Sequence, residues 1–266
     1  MKRTVEEHAA RFDEYASDYD DGQDSEEYRA CAGLVIEHAR SALEPGDTLL
    51  DLGCGTGAIG LALASDAERV VGRDVSEGMM EQAREKAAAD GIDNAQFGYG
   101  AFREPDYDDA VDVVSSNFAM HHLADDEKRE TVDTIAAFGP RTFVLGDVMF
   151  FGEPDPSEPF YDPSVDDPAT VGVLADALTD AGFALTAVER VADQVGVLVA
   201  SRTDRATRAS PGRCVIRLYA DVPGARRIPS RFRHANARRI ESRKYEPRLP
   251  ELPPRLRDGA PTRASP

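Results

Sequence analysis

The stretch Leu49-Leu50-Asp51-Leu52-Gly53-Cys54-Gly55-Thr56-Gly57 limits what this chain can become more than any other. The apolar run at residues 48–52 reads as a short buried strand, and residues 58–64 open a helix. Three glycines at alternate positions join them. Glycine accepts positive φ and lets backbone approach a ligand with no Cβ in the way. The helix beyond supplies free N–H donors at its first turn. Asp74 closes a second strand 17 residues after Gly57. In doubly wound folds a carboxylate there can accept both ribose hydroxyls of a nucleoside.

The remaining chain alternates in the same way. Ser76 caps a helix with Met79, Met80, Ala83 and Ala87 on one face, closed by Gly91. Residues 96–99, 110–115 and 141–145 read as strands, and 125–138 and 168–181 as helices. Residues 184–191 and 194–201 read as two final strands. Residues 5–43 are mostly helical by spacing and stop at Pro45-Gly46. Strand–helix alternation with short links predicts an α/β, doubly wound, Rossmann-like sheet covered on both faces.

Composition divides the chain near Thr203. Residues 1–203 carry a net charge of −28, and residues 204–266 carry +10. Molar salt shortens the Debye length to about 3 Å and screens such self-repulsion. With only four lysines in the whole chain, three of them in residues 1–203, the acidic part is similar to proteins of salt-accumulating halophiles. The last 63 residues hold 9 of the 17 prolines and are dominated by arginine. They are expected to be disordered, because such a segment buries too little apolar surface to offset its ordering entropy. The tail reads as a nucleic-acid arm, as a linker, or as text translated out of frame from a G+C-rich gene. The abrupt change favours the last; nucleic acid is not expected as a partner unless the tail is genuine. No signal peptide or membrane-length apolar run is visible, and the three cysteines are scattered, so a reduced cytoplasm is expected.

The glycine loop alone leaves two cofactors open. Gly55-Thr56-Gly57-Ala58-Ile59-Gly60 matches the dinucleotide pattern, which implies a nicotinamide-dependent oxidoreductase. That register places Asp51 inside the strand, where a buried carboxylate needs a partner. S-adenosyl-L-methionine (SAM) has no pyrophosphate but has a cationic amino–sulfonium end, which an acid before the first glycine suits.

Four motifs in order, over residues 12 to about 201, resemble the class I SAM-dependent methyltransferases of type 11/25. They are Phe12-Asp13-Glu14-Tyr15-Ala16-Ser17-Asp18-Tyr19-Asp20, the glycine loop, Val71-Gly72-Arg73-Asp74-Val75-Ser76-Glu77-Gly78-Met79-Met80, and Asp112-Val113-Val114-Ser115-Ser116-Asn117-Phe118-Ala119-Met120-His121-His122-Leu123. The resemblance implies a seven-stranded sheet, with a helical lid at residues 1–45 and a SAM-binding domain at 46–203. It places Gly53, Cys54 and Gly55 against the methionine part of SAM and Asp51 near its ammonium. Asp74 would hold the ribose, Val75 and Met79 would flank the adenine, and Phe102 would lie at its edge. Asn117 would reach the cofactor from the fourth strand and Tyr19 from the lid. Ala101 stands where the family usually has an acid, and Arg73 where it usually has an apolar residue.

The implied reaction is methyl transfer to a small-molecule acceptor. In-line positioning alone can supply roughly 7–11 kcal/mol of such a barrier, so no catalytic side chain need be visible. His121 and Asp147 are the candidates for one. A hydrogen-bonded structural histidine is the competing reading of His121, and a turn cap that of Asp147. No acid or cysteine at ligand spacing accompanies His121-His122, so no metal site is expected. Phe150, Phe151, Phe160 and Tyr161 are positioned to line an acceptor pocket. A non-catalytic SAM- or nucleic-acid-binding protein is the remaining alternative.

Overall fold

The computed structural model describes residues 4–23, 25–154, 157, 159–202 and the backbone of 215–218. All of them belong to the first of two units, Met1–Ala225. The helices are α1 (Val5–Tyr15), α2 (Tyr19–Gly22), α3 (Glu26–Ala42), α4 (Ala58–Leu63), α5 (Glu77–Ala89), α6 (Asp125–Ala137) and α7 (Val171–Asp180). The strands are β1 (Thr48–Leu52), β2 (Arg69–Asp74), β3 (Ala95–Tyr99), β4 (Val113–Asn117), β5 (Thr142–Phe150), β6 (Ala169–Thr170), β7 (Phe183–Ala192), β8 (Val195–Arg202) and β9 (Val215–Leu218). Among the described residues no helix is long and apolar enough to cross a membrane.

The sheet runs β3-β2-β1-β4-β5-β8-β7-β9, with β6 beside β5 off that path. The first five strands in that order are parallel, and β8 is antiparallel to both β5 and β7. The order reverses between β1 and β4, and a doubly wound sheet binds ligands at the carboxyl ends beside such a switch. The central strands are buried along nearly their whole length, as a sheet covered on both faces requires. One apolar core joins Leu50, Val114, Phe143 and Leu145 to Ile135 of α6 and Leu174 and Leu178 of α7. The other joins Leu49, Val113 and Val144 to Cys31, Leu34 and Val35 of α3 and to Ile59 and Leu63 of α4.

Several boundaries differ from expectation, each through a long-range partner. The sheet has nine strands among the described residues, not seven. Residues 141–145 extend to Phe150 because β8 pairs with β5 from Thr142 to Val148. The fourth strand shifts to Val113–Asn117, and Asp112 just before it bonds Thr48 through its carboxylate, which accepts the Thr48 N–H at 2.9 Å. The predicted helix at 168–181 starts at Val171; Ala169 and Thr170 pair with β5 instead. Within residues 1–45, α3 packs its buried face of Cys31, Leu34, Val35 and Ala39 against the sheet. The backbone of Val215–Leu218 pairs in parallel with β7. The readings of the rest of 204–266, disorder and out-of-frame translation included, fall outside the described residues.

Lys128 shows how a charge is kept in this core. It is 2% exposed, and its Nζ donates to Leu123 O at 2.6 Å, Asp167 O at 2.5 Å and Asp125 Oδ1 at 3.2 Å. A buried ammonium is stable only with such partners. These bonds tie the segment before α6 to the long connection that precedes β6.

Candidate active site

The glycine loop adopts the conformation its sequence demands. Gly53, Gly55 and Gly57 have φ of 66°, 51° and 83°. A Cβ on Gly53 would lie 2.5 Å from Ala119 Cβ and 3.1 Å from Phe102 Cζ. A Cβ on Gly57 would lie 3.0 Å from Ala83 Cβ, so this glycine serves loop-to-helix packing. Gly55 is different: a Cβ there would meet nothing within 4 Å and would project into open space. Gly55 helps to line a small cavity with Tyr19, Tyr28, Asp51, Gly53, Cys54, Thr56, Ala58, Ile59 and Asn117.

Asp51 sits in β1 opposite Ser115 of β4, only 1% exposed. Ser115 Oγ donates to its Oδ1 at 2.8 Å, while Oδ2 makes no hydrogen bond. Burial pushes this carboxyl up to about 7, against the opposing effect of the Ser115 bond. A buried carboxylate with an unused oxygen favours a cation beside it. Asp74, at the end of β2, accepts the Gly55 N–H at 2.8 Å and the Ser76 N–H at 2.9 Å. Burial raises its carboxyl as well, and these backbone donors oppose the rise.

The α1–α2 segment is tied down at three places. Asp13 of α1 accepts from Ser76 Oγ at 2.6 Å and from the Gly78 N–H at 2.9 Å. Asp20 of α2 accepts from Thr56 Oγ1 at 2.6 Å and pairs with Lys86 Nζ at 2.5 Å. The rings of His8 and Phe12 lie 5.0 and 5.6 Å from that of His122. Tyr19 is thereby held at the cavity wall. Burial, with Asp74 and Asp20 adding to it, pushes its phenol up to about 12.

Six of the residues expected at the cofactor line this cavity: Tyr19, Asp51, Gly53, Cys54, Gly55 and Asn117. Asp74 adjoins it through Gly55. Val75, Met79 and Phe102 do not line it. Met79 is buried in the first turn of α5, and Phe102 covers Gly53 from a tight turn closed by reciprocal Ala101 and Glu104 backbone bonds. Arg73 turns away from the cavity, donating to Pro105 O at 2.9 Å with its guanidinium 5.5 Å from the Tyr107 ring centre. Tyr28, Thr56, Ala58, Ile59 and the Asp20 latch were not expected. Thr56 and Asp20 stand inside the motifs, but nothing in the sequence shows that they meet.

The histidine pair corrects another expectation. Each histidine has an acid beside it. Asp147 Oδ1 lies 2.6 Å from His121 Nδ1, and Asp166 Oδ1 lies 2.7 Å from His122 Nδ1. These acids are 26 and 44 residues away in sequence, so local spacing could not reveal them. Phe118, between Asn117 and His121, has φ of 51°, a conformation that costs a bulky residue about 1–3 kcal/mol. Its N–H donates to Gly146 O at 2.8 Å, and its ring lies 5.0 Å from Tyr28 and 6.1 Å from Phe160.

A methyltransferase-domain family model matches residues 49–138, from the glycine loop through α6. Residues 49–138 therefore form a methyltransferase domain, similar to that of the class I SAM-dependent methyltransferases. It is 30% identical over 147 residues, 52% of its length, to an uncharacterized methyltransferase of Bacillus pumilus, and spans 66% of that protein. It is 48% identical over 60 residues, 23% of its length, to the 23S rRNA (uracil(1939)-C(5))-methyltransferase RlmD of Alkalilimnicola ehrlichii, spanning 13% of that enzyme. The chain thus spans less than two thirds of these relatives. Magnesium protoporphyrin IX methyltransferase of Synechocystis PCC 6803, solved with bound S-adenosylhomocysteine (SAH), shares the methyltransferase fold. The TM-score is 0.58 at 19% identity, over 73% of this chain and 95% of that one.

Proposed function

We propose that this methyltransferase moves a methyl group from SAM to a small molecule. The observation that carries the cofactor assignment is Asp51, whose buried, unpartnered Oδ2 lies under a glycine-walled cavity. The residues fit the group. Asp51 would take the ammonium, and the Gly53–Cys54–Gly55 backbone would lie against the methionine chain. Asp74 would accept from the ribose hydroxyls, and Asn117 would contact the cofactor from β4. Tyr19 would close the cavity from the lid, with Val75, Met79 and Phe102 toward the adenine. When bound, SAM supplies a methyl carbon on a cationic sulfonium. The chain's own part is to bind it, exclude water with the lid and hold the acceptor in line.

A small acceptor is favoured over RNA by charge. Residues 1–203 carry −28, whereas RNA binding depends on cationic contacts to phosphate. The likeness to the RNA enzyme reaches only 60 residues. The full chain, given SAM labelled at the methyl group, a metabolite extract and total RNA in molar KCl, would label the low-molecular-weight fraction. Label confined to RNA would overturn the assignment.

A further inference from the structure

Building on the methyl-transfer reading, we propose that His121, oriented by Asp147, is a general base and that the acceptor is a neutral aromatic or enolic hydroxyl. The placement comes first. β4 ends at Asn117, which lines the cofactor cavity, and pairs there with Gly146, one residue before Asp147. The short helical turn Met120–His122 follows β4. The pair therefore stands at the carboxyl ends of β4 and β5, beside the cavity and on the far side of β4 from β1.

The hydrogen bonds fix the imidazole. Asp147 is 2% exposed, and its carboxylate accepts from the backbone N–H groups of His121 at 3.0 Å and Val148 at 2.8 Å. Both oxygens of Asp147 already accept backbone N–H bonds, so the 2.6 Å contact assigns the proton to His121 Nδ1. Nε2 is then the basic nitrogen. The groups facing it are Asp147 from β5, His122 from its own turn with Asp166 behind it, and Cys31 of α3 on the Asp147 side.

The surroundings name the acceptor. The Phe118 ring stands edge-on to His121 at 6.4 Å and joins the rings of Tyr28 and Phe160. Phe118 holds this position in a left-handed conformation, which points to a functional requirement. Aromatic walls favour a planar ring. A base is needed only where the nucleophile arrives protonated. In the step, the acceptor O–H proton passes to His121 Nε2, the oxygen lone pair forms the O–CH₃ bond, and the C–S bond breaks. Its electron pair stays on sulfur, giving neutral SAH, and the imidazolium beside Asp147 later releases its proton to solvent.

The test uses the full chain with saturating SAM, reading SAH release with two probes. Phenol is neutral at pH 7.5, and 4-nitrophenol is largely ionised at pH 8.5. His121→Gln is expected to lower kcat on phenol by about 10²–10⁴ and on ionised 4-nitrophenol by less than about tenfold, with SAM affinity unchanged. Asp147→Asn, a positioning variant, is expected to lower kcat on phenol with little change in KM and to shift the pH profile. Equal losses on both probes would overturn the base assignment. Wild-type chain that binds SAM but methylates neither phenol would overturn the acceptor class. Failure to bind SAM would instead sink the methyl-transfer reading beneath it. The donor atoms of His121, His122 and Asp166 lie within 4.8 Å of one another, so EDTA is a control arm. Activity abolished by EDTA and restored by Zn²⁺ would make His121 a ligand and overturn the proposal, and activity indifferent to EDTA is expected.

Discussion

Replacing Asp51 with Asn removes one buried ionisable group and keeps its shape. In the folded chain this carboxyl is raised to about 7, against about 3.9 in an unfolded one. The sign follows from which form burial penalises. Below about pH 4 the group is neutral in both states and has no effect. Between 4 and 7 the unfolded chain ionises first, so stability falls as pH rises. Above 7 the penalty is complete, at about three units of 1.36 kcal/mol, or about 4 kcal/mol. Urea unfolding in molar KCl at pH 5 and pH 8 reads this directly. Without ligand, the wild type should lose about 3 kcal/mol more than Asp51→Asn over that interval. A bound ammonium should cancel the loss. By the same reasoning the variant should bind SAM about 10- to 100-fold more weakly, the loss of a charge-assisted bond of about 1.5–3 kcal/mol. Parallel pH slopes for the two proteins, or SAM affinities within twofold, would refute the reasoning.

Other substitutions probe separate parts of the account. Gly53→Ala should destabilise by about 2–4 kcal/mol in chemical unfolding, because its Cβ would meet that of Ala119 at 2.5 Å in a left-handed residue. Gly55→Ala has open space around it and should cost only about 1–2 kcal/mol. Its methyl group enters the cavity, however, and calorimetry should show at least tenfold weaker SAM binding. Lys128→Met removes the interior bonds from Nζ to Leu123 O and Asp167 O and should destabilise by about 2–4 kcal/mol, with faster amide exchange near residue 167. Asp20→Asn weakens an exposed latch, so stability should change by less than about 1 kcal/mol, while stopped-flow release of SAH should quicken severalfold.

Much of the cavity lining was legible because its signals are local. The loop glycines, Asp51 and Asp74 are read from one strand–helix–strand unit, and backbone geometry alone dictates them. The surroundings of His121 and Phe118 were not legible, since they are assembled from distant segments. His121 looked solitary until β5 brought Asp147 to it and the connection before β6 brought Asp166. The left-handed Phe118 has no sequence signature, because glycine or asparagine is the ordinary choice there. Strand ends failed for the same reason: the full length of β5 is set by β8, whose first residue lies 45 positions after the end of β5. The N-terminal residues read as mostly helical by spacing, and the packing of α3 into the core was not part of that reading. Its buried face of Cys31, Leu34, Val35 and Ala39 marks a helix under a sheet rather than over a cleft.

The central claim is that the cavity over Asp51 is built for a methyl donor and not for a dinucleotide. Isothermal calorimetry of the full chain in molar KCl, with SAM, SAH and NAD⁺ in turn, tests it most directly. SAM and SAH are predicted to bind once per chain, and NAD⁺ is predicted to give no heat of binding. Saturable NAD⁺ binding with no response to SAM or SAH would contradict the account at its root.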